Sequence, residues 1–372
     1  MGIMNYIIPF VLLITVVVFI HEYGHYYFAK KYGVGITDFS IGFGKEIFGW
    51  NDKSGTRWKI CWLPLGGYVK FFGDRNVFSE AEQQNIIKEY NEEDRKKLFI
   101  LKPLYQRSII VAAGPLANFV LAIIIFTMIN MFVGKDMTPA IVEEVQNDSP
   151  AYISGIQKND KIISIDDNKV QSIFEVSTFI NTSTSENLKF VILRNDQEVS
   201  LIVKPKLMQS KDSLGNSVKK RMIGIKLFPP LNNELNKQPL GPAKAIYYSV
   251  KEVWFVTVTS LKYLGKMITG SGDASQLGGP IRIAKISGQV AEYGIVPFLS
   301  IVAYISISLG LINLFPIPML DGGHLMFYFF EKILGKPLKQ KTQESFFRIG
   351  LFLLFSLMFF VTFNDLKELG VF

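Results

Sequence analysis

Two histidines and a glutamate stand together where the first long apolar stretch ends. Residues 20–25 read IHEYGH, which contains His21, Glu22 and His25. On a helix, residues four apart share a face about 6 Å apart along the axis, so two imidazoles can hold one Zn²⁺. Glu22 is then close enough to take a proton from an attacking water. The spacing predicts metal-assisted hydrolysis; the competing interpretation is a helix end with interfacial His and Glu.

A catalytic zinc needs a third protein ligand and an open position. Candidates lie in NLFPIPMLDGGH, residues 313–324. Pro316 and Pro318 must break the hydrogen-bond ladder of an otherwise helical span, and a broken helix at membrane depth is tolerated where it lines a polar cavity. From chemistry alone, either Asp321 or His324 could be the third ligand.

The composition indicates a membrane protein. Of the 372 residues, 49% are hydrophobic and only 19% are charged, which is more apolar than a typical soluble chain. A single cysteine, Cys61, excludes an internal disulfide and a cysteine-based metal cluster. The net charge of +8 is interrupted by long uncharged stretches, which favours a bias toward the membrane surface over nucleic-acid binding.

Four stretches predict transmembrane helices, since a span needs roughly 20 apolar residues. The first, residues 1–32, carries the HExxH motif; it lacks a basic start and a small-residue cleavage site, so we interpret it as a permanent helix rather than a signal peptide. The others are residues 107–134, 291–324 (the broken span) and 347–366. Lys and Arg cluster in residues 33–106 and in a loop at 325–346, which places these segments in the cytoplasm and both termini outside.

The fold class predicted is a polytopic α-helical membrane protein with about four transmembrane helices. Residues 33–106 predict a membrane-associated β-hairpin that turns at Gly66 and Gly67, followed by a charged helix at 79–97. Residues 135–207 predict a small extracytoplasmic α+β domain. Residues 208–290 predict a linker with an amphipathic helix at the membrane interface, over 245–268.

Together these motifs resemble the site-2 protease family of intramembrane zinc metalloproteases, peptidase family M50, and most closely its bacterial regulator-of-sigma-E protease branch. HEYGH, NLFPIPMLDGGH, GPLANF (114–119) and PLGGYVK (64–70) are similar to family motifs, and residues 149–170 resemble a PDZ domain. The resemblance covers nearly the whole chain. It departs from the best-known enterobacterial members in having one PDZ domain instead of two.

The resemblance implies that His21, His25 and Asp321 bind one zinc ion and that Glu22 is the base that activates water. His324 then becomes a supporting residue near the ligands. In the same way, Asn313 would hold substrate or stabilise the oxyanion, or cap the broken helix.

Three further features receive roles from the resemblance. Asn118 would pack the first two spans together. The hairpin around Gly66 and Gly67 would offer an edge strand to the substrate, and Pro316 and Pro318 would be structural.

The function implied is intramembrane cleavage of single-pass proteins that an upstream site-1-type protease has already trimmed, such as anti-sigma factors or remnant signal peptides. The expected setting is a stress response in the bacterial cytoplasmic (inner) membrane, with the lipid bilayer as a partner and no nucleic acid. One alternative is a non-catalytic scaffold that binds peptides through its PDZ domain. Another is a metal-dependent transporter, although no inverted repeat is visible.

Overall fold

A computed structural model describes residues 2, 4–73, 90–166, 168–183, 185–211, 217–228, 236–270 and 277–368. These residues fall into two compact units. One lies within Met1–Ile125 and Ala274–Phe372, and the other within Phe126–Asp273.

The described residues contain ten α-helices. In chain order they are α1 (Met4–Lys31), α2 (Glu92–Arg95), α3 (Leu104–Phe132), α4 (Pro150–Ile153), α5 (Ile173–Thr182), α6 (Pro242–Ile268), α7 (Pro280–Glu292), α8 (Ile295–Asn313), α9 (Asp321–Leu334) and α10 (Gln340–Glu368). A short 3₁₀ helix at Phe99–Leu101 precedes α3.

The same residues contain twelve β-strands. They are β1 (Ile36–Asn51), β2 (Arg57–Phe71), β3 (Lys135–Asp136), β4 (Val142–Val145), β5 (Lys161–Ile165), β6 (Asn168–Lys169), β7 (Leu188–Arg194), β8 (Gln197–Val203), β9 (Lys206–Lys211), β10 (Ser217–Met222), β11 (Ile225–Leu227) and β12 (Lys237–Gln238).

Four helices are long and apolar enough to cross a membrane: α1, α3, α8 and, over Lys341–Lys367, α10. They coincide with the four predicted spans. Helix α10 is longer than the predicted 347–366, because the charged residues flanking its apolar run are helical too. The segment 325–346, predicted as a loop, is mostly helical, since its apolar start continues α9 as far as Leu334.

The third predicted span is broken where its prolines indicate. Helix α8 ends at Asn313 and α9 begins at Asp321. Between them the chain turns tightly, with Met319 at φ 87°, in the left-handed region that non-glycine residues rarely adopt.

The β-hairpin is present, but its predicted turn is wrong. Gly66 and Gly67 lie inside β2, and the turn between β1 and β2 is formed by residues 52–56. There Asp52 Oδ1 accepts hydrogen bonds from the amides of Ser54 (2.8 Å) and Thr56 (2.9 Å). An aspartate whose short side chain can accept hydrogen bonds from nearby backbone amides, followed by a glycine, is a stronger turn signal than two glycines between apolar residues. The charged helix predicted at 79–97 lies largely outside the described residues.

Both strands of the hairpin bend, so that one segment of β1 pairs with two different segments of β2. Residues 36–41 pair with residues 67–71 on one side, and residues 38–41 also pair with residues 57–60 on the other. Among the described strands, residues 67–71 therefore form an edge of this sheet.

The second unit contains a domain that extends beyond its predicted end at residue 207. Strand β11 pairs with β4, and the sheet order of the remaining core strands is β6-β5-β7-β8. Ile223 is buried with Leu188, Phe190 and Ile192 in one core. The segment predicted as a linker from residue 208 therefore includes part of this domain, because its strand β11 pairs antiparallel with β4. Helix α6 matches the amphipathic helix predicted at 245–268.

Candidate metal centre

Two histidines of α1 and the first residue of α9 converge on one point. Nε2 of His21 lies 3.1 Å from Oδ2 of Asp321 and 3.2 Å from Nε2 of His25. Nε2 of His25 lies 3.5 Å from the same Asp321 oxygen. Among the described residues, these three are the group whose donor atoms lie close enough to share an ion.

The triangle of donors has the size of a tetrahedral zinc site. Ligands at about 2.0 to 2.1 Å from a tetrahedral ion stand roughly 3.3 Å apart. Oδ2 of Asp321 is buried and has no hydrogen-bond partner within the described structure. A buried carboxylate oxygen aimed at two imidazole nitrogens fits a cation better than it fits any other neighbour.

His324, the other candidate for the third ligand, lies away from this group. Its ring packs against Phe347 of α10, with ring centroids 5.8 Å apart, and against Phe327, at 6.4 Å. The structure thus brings Asp321, and not His324, to the histidine pair.

Close packing between α1 and α3 positions the histidines. A Cβ on Gly24 would collide with the carbonyl oxygen of Ala113, and a Cβ on Gly114 would collide with the His25 imidazole. The two glycines therefore let α3 approach the face of α1 that carries the motif. His25 is fixed further because its Nδ1 donates a hydrogen bond to the carbonyl oxygen of Ile110, at 2.9 Å.

Asn118 also contacts a histidine of the motif. It is completely buried, and its Nδ2 lies 3.3 Å from Nδ1 of His21. The hydroxyl of Ser306 on α8 donates to the main-chain oxygen of Asn118, at 2.9 Å. The sequence predicted a packing role for Asn118 between the first two spans; the structure places its side chain against His21.

Glycines also bring the start of α9 to the site. A Cβ on Gly322 would collide with the carbonyl oxygens of Leu314 and Phe315. Pro318 of this turn is buried. Helix α10 packs against it at Gly350, where an added Cβ would collide with Pro318. Farther along α9, Glu331 forms a bidentate ion pair with Arg107 of α3. Arg107 Nη2 donates to Oε1 at 2.5 Å, and Nη1 donates to Oε2 at 3.3 Å.

Glu22 meets the edge of the hairpin sheet. Its carboxylate interacts with the backbone of Val69. A Cβ on Gly67 would stand 3.1 Å from Cγ of Glu22. The edge at residues 67–71 and the carboxylate are therefore in direct contact.

A second contact ties the hairpin turn to α1. Tyr26, one residue after His25, donates to Oδ2 of Asp52, at 2.9 Å, and Trp58 Nε1 donates to the same oxygen, at 3.3 Å. Burial alone would raise the pKa of Asp52, but its hydrogen bonds outweigh burial and hold the pKa below its usual range. Sequence reasoning missed this anchor; the Asp-x-Ser-Gly turn sequence was the available signal.

The remaining predicted residues lie around these contacts. Asn313 is the last residue of α8 and is half-buried, and Pro316 is exposed in the turn that follows. Gly66 has φ 124°, and its backbone lies against the Phe43 ring. A substrate-binding role for Asn313, Gly66 and Gly67 stays a prediction.

Comparison with known proteins agrees with this geometry. The model of Peptidase family M50 matches residues 9–357. The chain belongs to peptidase family M50. A Mesorhizobium japonicum protein, provisionally named a zinc metalloprotease, is 39% identical over 97% of this chain and 98% of its own length. Metalloprotease MmpA of Caulobacter vibrioides is 33% identical over 100% of this chain and 98% of its own.

One solved structure is similar to part of this M50 peptidase. It is the PDZ domain of an SdrC-like protein from Listeria monocytogenes, at 23% identity, covering 25% of this chain and 90% of that one with a TM-score of 0.20.

Family membership and the three converging donors together define the class of enzyme. This M50 peptidase is a metalloprotease. The helices of membrane-crossing length among its described residues, together with the family, make it a multi-pass membrane protein.

Proposed function

We propose that this protein is a zinc endopeptidase that hydrolyses peptide bonds inside the transmembrane segments of single-pass membrane proteins. The observation that carries the proposal is the location of the three-donor site: His21 and His25 lie inside α1, which is long enough to cross a membrane, and Asp321 lies just after the break that ends α8, another such helix. At 1.5 Å per residue, His21 stands about 25 Å from the start of α1 and about 15 Å from its basic end. A site at that depth faces peptide bonds that are themselves in the bilayer.

One zinc ion suits the donor set. Two imidazoles and one carboxylate leave the fourth position of a tetrahedral ion open, as catalytic sites require. When bound, the ion supplies Lewis acidity toward the scissile carbonyl and toward water.

Glu22 carries the proton transfers. Its residue directly follows the first ligand, His21, in the sequence, which keeps the carboxylate near the metal centre. In that position it would take the proton of the attacking water and later deliver a proton to the leaving amine. The backbone of Gly67 and Val69 lies beside this side chain and limits where it can move.

The sheet edge beside Glu22 suits an unwound substrate. A transmembrane helix cannot be cut until its peptide bonds are exposed, and strand addition replaces the backbone hydrogen bonds that unwinding removes. Residues 67–71 offer such an edge next to the base, and Gly67 adds no side chain at the point where the edge meets Glu22. On the same hairpin, Trp62, Ile47 and Phe48 are 70%, 60% and 60% exposed, which suits contact with lipid.

Substrates of this enzyme would be single-pass proteins already trimmed by an upstream site-1-type protease, such as anti-sigma factors or remnant signal peptides. The PDZ domain would exclude untrimmed proteins or bind the newly made end. The enzyme would lie in the bacterial inner membrane, with the PDZ domain and both termini extracytoplasmic. The resemblance of the motifs and the distribution of Lys and Arg support this arrangement.

Replacing the base tests the proposal. Glu22→Gln should lower cleavage of a model transmembrane substrate by about 10²- to 10⁴-fold, the usual contribution of general acid–base catalysis, while zinc content stays near one per chain. Glu93→Gln, exposed on α2, is the matched control and should cleave normally. Cleavage that persists in the Glu22 variant, or wild-type protein that cleaves without metal, would contradict the proposal.

A further inference from the structure

The two histidines of the metal centre use the same ring nitrogen toward Asp321 but have different partners on the other. His25 donates from Nδ1 to a main-chain carbonyl, that of Ile110. A carbonyl only accepts, so Nδ1 of His25 carries the ring proton and Nε2 keeps its lone pair for a metal.

His21 needs the same tautomer to act as a ligand. Its Nε2 is the atom beside Asp321 and His25, so Nδ1 must carry the ring proton and must find an acceptor. The polar group that the described structure places there is the Asn118 side chain. Its amide oxygen, Oδ1, is buried and has no hydrogen-bond partner.

An asparagine amide can present either end, because its oxygen and nitrogen have nearly the same shape. Rotation of the Asn118 amide by half a turn exchanges the two atoms and puts the unpartnered oxygen at the hydrogen-bond distance now held by Nδ2. We propose that Asn118 is a positioning residue: its Oδ1 accepts the Nδ1–H of His21 and thereby keeps Nε2 of His21 deprotonated and directed at the metal.

The residues packed around Asn118 leave it little freedom to move away from His21. Ser306 holds its main-chain oxygen. A Cβ on Gly310 would stand 3.2 Å from its Cβ, so α8 packs directly on it. Asn118 is therefore held against His21 by the helix on its other side, and the acceptor is in place before a metal binds.

The inference rests on the metal centre of the proposed function, so its test measures metal binding rather than cleavage. The full chain in detergent would be titrated with zinc against a competing chelator, and the cobalt-loaded protein would be measured by visible absorption. Asn118→Leu keeps the side-chain volume but has no acceptor, whereas Asn118→Asp keeps an acceptor. Ser308→Ala is the matched control, since it removes a serine hydrogen bond of the same helix, to the carbonyl oxygen of Tyr304 at 3.0 Å, that does not involve Asn118.

The expected result is a 10- to 100-fold weaker zinc affinity for Asn118→Leu, the usual effect of losing a partner of a ligating histidine, with an altered cobalt spectrum. Asn118→Asp should stay within about threefold of wild type, and Ser308→Ala should bind zinc as the wild type does. Wild-type affinity in Asn118→Leu, or an equal loss in Ser308→Ala, would overturn the inference.

A measurement on the wild type covers the case in which Asn118→Leu does not fold. Nitrogen-15 NMR of histidine-labelled, zinc-loaded protein should show His21 protonated at Nδ1 and metal-bound at Nε2. Metal bound at Nδ1 would overturn the role of Asn118 alone. Wild-type protein with no zinc affinity would overturn the proposed function as well, which keeps the two failures distinct.

Discussion

Gly67 of β2 lies directly against Glu22 of α1. A Cβ on Gly67 would stand 3.1 Å from Cγ of Glu22 and 2.6 Å from the carbonyl oxygen of Ser40. The second contact is with backbone, which cannot move aside as a flexible side chain can. The sheet edge and the proposed base are therefore packed with no room for even a methyl group.

Gly67→Ala should therefore lower kcat/KM for a transmembrane substrate at least tenfold, because either the strand or the Glu22 side chain must move. Displacements of about 1 Å at a reacting group can cost about 100-fold. Zinc affinity should not change, since the three donors do not contact Gly67. Gly265→Ala, where an added Cβ meets nothing within 4 Å, is the control. Unchanged kinetics in Gly67→Ala would show that the edge does not position Glu22.

Gly114→Ala should weaken zinc binding. The added Cβ would overlap the imidazole of His25, with Cε1 at 2.5 Å, and the ring would have to leave its hydrogen bond with Ile110. We expect at least a tenfold loss of affinity in a chelator competition, of the size seen when a ligand loses its orienting partner. Leu116→Ala, at a 54% exposed position of the same helix, should bind zinc normally. Equal affinities for the two variants would refute this role of Gly114.

Asp365 of α10 caps the start of α7. Its carboxylate accepts hydrogen bonds from the amides of Gly279 (2.9 Å), Ile281 (3.1 Å) and Arg282 (3.1 Å), and the residue is 2% exposed. Asp365→Ala leaves these amides without their acceptor, at a cost of about 1 to 3 kcal/mol in the free energy of unfolding.

Thermal unfolding in detergent, with limited proteolysis around residues 277–282, would measure this loss. Lys367→Ala, on an exposed position of the same helix, provides the baseline. If both variants melt together and resist protease equally, Asp365 does not hold α7 in place.

The Arg107–Glu331 ion pair should couple α3 to the helix that carries Asp321. Its side chains are only 16% and 18% exposed, and the guanidinium also lies 5.0 Å from the ring centre of Tyr328. We expect Arg107→Gln or Glu331→Gln alone to cost about 1 to 3 kcal/mol, because each leaves a partly buried charge without its partner. The double variant should lose less than the sum of the two. Strictly additive losses in denaturant unfolding would contradict a direct coupling.

The sequence predicted the elements whose signal is local. The four apolar runs, the break at Pro316 and Pro318, and the pairing of His21 with His25 each depend on residues within one turn or one span. The boundaries that went wrong depend on distant partners. The end of the β domain is set by β11 pairing with β4, about 80 residues earlier in the chain, and no feature of residues 208–228 alone announces it.

The site shows the same division. The motifs indicated which side chains could bind a metal, and by chemistry alone either Asp321 or His324 could be the third ligand. The family resemblance favoured Asp321, and the structure, which packs His324 against Phe347, agrees with that choice. Three contacts were not predictable from the sequence: Gly67 with Glu22, Gly114 with His25, and Asp365 with α7. Each depends on which distant element packs against the residue, and the residues around it in the sequence do not show this.

Membrane orientation is predicted from the distribution of positive charge, and the prediction can be tested with one cysteine at a time. Cys61, the only cysteine of the sequence, is 4% exposed, and Cys61→Ala provides the background. In it, Glu198→Cys places a thiol on an exposed position of β8, and Pro337→Cys places one between α9 and α10 without removing a cation.

Because lysines and arginines surround residue 337, that segment is expected in the cytoplasm and the β domain that contains Glu198 outside. A membrane-impermeant maleimide should label Glu198→Cys in intact bacterial spheroplasts, and should label Pro337→Cys only after the membrane is opened with detergent. Labelling of both after detergent shows that each thiol is accessible. The reverse pattern in intact spheroplasts would invert the topology and put the β domain on the wrong side to meet a substrate trimmed outside the cell.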